Sequence, residues 1–68
     1  MKAISGKRFV SILEKNGWKV ISIKGSHYKL SHPLKEYNVI VPVHSNNDLP
    51  IGLLKKLLSE SGLTDEDL

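Results

Sequence analysis

Two β-prone runs separated by two residues fix the middle of this chain. Trp18-Lys19-Val20-Ile21-Ser22-Ile23-Lys24 is rich in β-branched residues, and His27-Tyr28-Lys29-Leu30-Ser31-His32 alternates polar and apolar side chains. Gly25-Ser26 lies between them. Glycine takes a positive φ at little cost, so Gly-Ser between such runs predicts a hairpin turn. The alternation also predicts faces: Tyr28 and Leu30 point one way, His27, Lys29 and Ser31 the other. If helices cover the Tyr28/Leu30 side, His27 and Lys29 stand on the open side. An imidazole held there between Lys24 and Lys29 is suited to hold a phosphate and move a proton.

Helical patterns flank the hairpin. Phe9, Ile12 and Leu13 follow the spacing of one helical face, widened by Val10, and Ser5 can cap the first turn. Asn16-Gly17 stops the pattern, with Gly17 free to turn left-handed, so a first helix is predicted over about residues 6 to 16. Val39-Ile40-Val41-Pro42-Val43-His44 reads as a third strand, in which Pro42 requires an edge or a bulge. Asp48-Leu49-Pro50 opens a second helix, with Pro in its first turn. Ile51, Leu54, Leu57 and Leu58 form its apolar stripe, bordered by Leu53, and Ser61-Gly62-Leu63 repeats the earlier stop. The order is α-β-β-β-α. It predicts an α+β domain with a three-stranded antiparallel sheet and both helices on one face.

At 68 residues the chain is one small domain, 1–68, with its ordered core over about 5–63. The acidic end, 64–68, is either a frayed tail or a docked turn of helix. There is no cysteine, so neither disulfides nor thiolate metal sites are available. No apolar run approaches the ~18 residues of a membrane span, and the first residues lack the apolar centre of a secretion signal. The expectation is a soluble, cytoplasmic protein. Eight of the ten Lys and Arg residues lie in residues 1–35 beside a single acid, Glu14, whereas six of the seven acids lie beyond. That asymmetry suggests a polyanion partner on the helix-plus-hairpin half.

Three stretches together resemble the HicA family of small bacterial mRNA-interferase toxins. They are the helix end Leu13-Glu14-Lys15-Asn16-Gly17-Trp18; Ile23-Lys24-Gly25-Ser26-His27 with Ser31-His32-Pro33; and Val41-Pro42-Val43-His44 with Asp48-Leu49-Pro50-Ile51-Gly52. They occur in family order over residues 5 to 63. The resemblance implies a double-stranded-RNA-binding-like fold, ribosome-independent cleavage of mRNA, and a HicB-type antitoxin that covers the active site. It implies that His27, in Gly25-Ser26-His27, is catalytic. Two positions differ from typical members: Tyr28-Lys29-Leu30 replaces further aromatics or histidines, and Leu53 replaces a small polar residue.

Metal-free RNA cleavage needs the 2′-hydroxyl deprotonated as it attacks phosphorus, and imidazole suits that near neutral pH. His27 is therefore the expected general base, with a 2′,3′-cyclic phosphate as product. Lys24 and Lys29, with Gly25 and Ser26, are expected to hold the phosphate; Lys7, Arg8 and Lys19 supply general backbone attraction. Lys55 and Lys56 read as a solvated helix face. The leaving oxygen needs an acid, for which His44 is a candidate; His32, beside Pro33, better fits a role in shaping the turn. Neither a metal nor another cofactor is expected, because the three histidines do not share a helical face. Tyr37 is a candidate for stacking on a base. Two rival readings are a non-catalytic RNA-binding module of the same fold and a protein-interaction domain with a basic face. RNA binding alone does not require Gly25-Ser26-His27.

Overall fold

A computed structural model describes residues 2–68; Met1 lies outside the described residues. Helix α1 spans Gly6–Lys15, strands β1, β2 and β3 span Lys19–Lys24, His27–Ser31 and Val39–Pro42, and helix α2 spans Ile51–Ser61. The strands form one antiparallel sheet in the order β1-β2-β3. No helix among the described residues is long and apolar enough to cross a membrane.

The ends of α1 follow from its sequence. Ser5 Oγ accepts from the Arg8 amide at 3.1 Å. At the other end Trp18 N donates to Leu13 O and Gly17 N to Glu14 O. This paired closure requires a left-handed residue, and Gly17 supplies it with φ +93°. Leu13 and Trp18, joined by that closure, are both buried. Helix α2 ends in the same way: Leu63 N donates to Leu58 O and Gly62 N to Ser59 O, with Gly62 at φ +74°.

The start of α2 differs from the sequence expectation. Pro50 is extended and precedes the first turn instead of lying within it. Asp48 forms an isolated bridge with Ser5, and Leu49 N donates to Ile4 O, so these residues tie the N-terminal segment down. The buried stripe consequently runs Leu54, Leu57, Leu58 and Ser61. Ile51, expected in that stripe, is 45% exposed because it lies at the first position, before the packed turns. Ser61 replaces it at the far end, its hydroxyl donating to Leu57 O and lying 3.2 Å from Leu58 O.

Leu30, Val39 and Val41 face the helices and have no exposed surface, whereas Lys29 and Ile40 on the other side are exposed. Both helices therefore cover one face, and one core joins Phe9, Leu13, Trp18, Leu30, Leu54 and Leu57. Pro42 ends the edge strand β3, where its missing amide costs no ladder bond inside the sheet. The acidic end is a docked turn. Asp65–Asp67 is a short 3-10 helix, Asp67 Oδ2 accepts from Thr64 N at 2.7 Å, and Leu63 and Leu68 pack against the core.

Candidate functional site

The open face is shaped by an irregularity in β1. Val20 pairs with Leu30, but the next pair is Ser22 with Lys29, so Ile21 is an extra residue. A bulge of this kind shifts the strand's alternation by one. Before it, Val20 shares the inward face with Leu30. After it, Ile23 shares the side of its partner Tyr28 but stays 55% exposed beyond the helices, and Ser22 and Lys24 move to the other side. In a regular strand Ser22 and Lys24 would follow Val20 towards the helices. The Gly25-Ser26 turn sets Lys24 opposite His27, and the bulge reconciles that outward Lys24 with an inward Val20.

The outward residues form two rows across the sheet: Ser22, Lys29 and Ile40; then Lys24, His27 and Pro42. Side chains directly opposite each other stand about 4.5–5.5 Å apart at Cβ. Ser22, Lys24, His27, Lys29 and Ile40 line a concavity of about 230 Å³. Two lysines line it with the imidazole, and no acidic side chain does. The Gly25-Ser26 turn closes one end. Gly25 has φ +58°, while Ser26 is not in the positive region, the pattern of a type II′ turn. Nothing lies within 4 Å of a Cβ built on Gly25, so its conformation and not its space calls for glycine. The His27 ring is exposed, and no hydrogen bond among the described residues engages it.

Residues 6–63 match the family described as the HicA toxin of bacterial toxin–antitoxin systems. The chain belongs to the HicA toxin family. No curated protein matches it. Membership makes this a toxin-family chain and implies an antitoxin as its partner.

In this HicA-family chain the sequence-derived candidates separate into groups. Lys24, His27 and Lys29 meet in the concavity, with Gly25 and Ser26 at its end. Lys7 and Arg8 are exposed on α1, in the layer behind the sheet, and do not line it. Their helix nevertheless starts beside it, because Gly6 packs against the Pro42 carbonyl so closely that an added methyl would overlap that oxygen. Lys55 and Lys56 are exposed on α2. Among the described residues no three His, Cys, Asp or Glu side chains group as metal ligands would.

The other histidines have distinct surroundings. His44 Nε2 lies 3.4 Å from Ser26 Oγ. His32 is used structurally: its Nε2 lies 3.2 Å from Asn16 O, its Nδ1 accepts from Leu34 N at 3.1 Å, and its ring meets Trp18 edge-on at 5.2 Å. With Nδ1 accepting, Nε2 must carry the proton and donate to Asn16 O. Tyr37 OH donates to Glu60 O at 2.7 Å and so ties the β2–β3 connector to α2. Ser22 and Ile40 were not singled out in the sequence. The strand register places both in the concavity; Ile40 was findable from the alternation of β3, Ser22 only through the bulge.

Proposed function

We propose that the chain is a metal-independent endoribonuclease that cuts mRNA, with His27 as general base, and that a HicB-type antitoxin silences it by covering the open face. The observation that carries this reading is the position of His27. It is an exposed imidazole with no hydrogen-bonded partner among the described residues, and it lines a concavity with two lysines. Neutral His27 takes the 2′-hydroxyl proton as that oxygen attacks phosphorus. Lys24 and Lys29 offset the charge that builds on the phosphoryl oxygens. The product carries a 2′,3′-cyclic phosphate. Lys7 and Arg8 attract the RNA backbone from the adjoining helix. The site of action is the cytoplasm, where mRNA is found.

The test uses end-labelled single-stranded RNA in EDTA, with the purified chain and its His27→Ala variant. General-base catalysis contributes roughly 10²–10⁴-fold, so the variant should cut slower by that factor and leave folding unchanged. Wild-type fragments should end in cyclic phosphate. Equal cutting by both proteins sinks the assignment of His27. Tight salt-dependent binding without cutting by either would make this a binding module.

A further inference from the structure

We propose that His44 is the general acid of this cleavage, held in place by Ser26; the inference rests on the ribonuclease reading above. The general base needs a counterpart, because the 5′-oxygen leaves as an alkoxide unless a proton reaches it.

The chain past β3 brings His44 to the turn that precedes His27. His27 pairs with Pro42, and Val43 N donates to Ser26 O at 2.7 Å, so pairing continues one residue past β3. Val43 turns inward and packs against the core. His44, the next residue, lies just past the ladder and outside the residues that line the concavity, and it is held against Ser26, the residue that leads into His27. Attacking and leaving oxygens lie roughly in line on opposite sides of phosphorus, so a base and an acid separated by one phosphate fit them. His44 is exposed, its Nε2 faces Ser26 Oγ at 3.4 Å, and no contact among the described residues engages its Nδ1. A protonated ring then donates Nε2–H to the serine and keeps Nδ1–H for the substrate.

The alternative donors are committed elsewhere. Both nitrogens of His32 are engaged at the far end of β2. Tyr37 is bonded to Glu60 O, and Tyr28 shares the inward side with Leu30. No carboxyl lines the concavity.

In the step, the 2′-oxygen forms a bond to phosphorus as its proton passes to neutral His27. The bond from phosphorus to the 5′-oxygen breaks, and that oxygen takes a proton from His44. His27 ends protonated and His44 neutral, and solvent exchange resets both.

The test compares ordinary RNA with the same RNA carrying sulfur in place of the leaving 5′-oxygen at one linkage. A thiolate leaves without protonation, since thiols are far more acidic than alcohols. His44→Ala should cut ordinary RNA at least about 100-fold slower than wild type and the sulfur linkage within about threefold of it. His27→Ala should be slow on both substrates. Ser26→Ala should share the selectivity of His44→Ala with a smaller effect. Circular dichroism melts establish that each variant is folded. His44→Ala cutting ordinary RNA at the wild-type rate overturns the proposal alone, as does an equal loss on both substrates. An inert wild-type protein overturns the ribonuclease reading and this inference with it.

Discussion

Neighbouring residues of β2 and β3 belong to different problems. Leu30, Val39 and Val41 have no exposed surface and join the helices. One step along each strand, Lys29 and Ile40 are exposed and line the concavity with His27. A strand's period of two puts the residues that hold the fold and the residues offered to a ligand side by side in sequence and on opposite sides in space. Among the described residues no second layer covers the sheet's other face, so that face is open. The two faces should therefore respond independently to substitution.

The sharpest contrast is between adjacent positions. Leu30→Ala removes a fully buried side chain and should cost about 2–5 kcal/mol. That is a large share of what a domain of this size can hold. Lys29→Ala should leave stability within about 0.5 kcal/mol while weakening RNA binding and reducing its salt slope by about 1. Urea melts and binding titrations over a salt series read both effects. A tolerated Leu30→Ala, or an unfolded Lys29→Ala, would break the division between faces.

Most of the division was legible from sequence. The Gly25-Ser26 turn, the inward Tyr28 and Leu30 and the outward His27 and Lys29 all follow from local chemistry and alternation. Both helix stops were readable because Asn16-Gly17-Trp18 and Ser61-Gly62-Leu63 leave the chain few ways to close. The bulge at Ile21 was not readable, since Val20-Ile21-Ser22-Ile23 suits a regular strand equally well, and only pairing with β2 reveals the extra residue. For the same reason Lys24 had no assigned face and Ser22 no assigned role. Ile51 was placed in the buried stripe because spacing says which face a residue is on and not how far the packing extends. The serine–histidine contact from Ser26 to His44 spans 18 positions and depends on how β3 docks.

A smaller effect is expected where two histidines are compared. His27 ends β2 at the turn with its ring unengaged; His32 follows the other end with both nitrogens bonded. Gly17 belongs to the His32 cluster: at φ +93°, a Cβ there would lie 2.8 Å from His32 Nε2. Gly17→Ala should thus cost about 1–3 kcal/mol through left-handed strain and displacement of the ring. The rate per folded molecule should stay at the wild-type value, because the concavity is at the far end of the strand. Thermal melts paired with RNA cleavage at a temperature where the variant is folded will show this. A melting point equal to wild type would mean that the ring moves aside freely and does not clamp the helix end.

The least costly change expected concerns the bulge itself. Deleting Ile21 joins Val20 to Ser22. If the pairs on either side hold, Val20 still faces Leu30, Ser22 still faces Lys29, and Ile23 and Lys24 keep their partners Tyr28 and His27. The deletion then makes a regular strand whose alternation already suits the core. Ile21 is 52% exposed, so little buried surface is lost. Stability should change by about 1 kcal/mol or less, within the range of surface substitutions and their turn-like neighbours. Inserting one alanine after Ser22 has the opposite consequence: it sends Lys24 inward and Ile23 outward, or forces a second bulge. Amide hydrogen exchange across β1 and β2 distinguishes these cases. Protection retained in the deletion and lost in the insertion would show that the pairing register with β2 sets the place of Lys24 and that the bulge only absorbs the extra residue. Loss of protection in the deletion would show instead that the extra twist of the bulge is what lets β1 follow the helix layer, and the two faces would then not be independent.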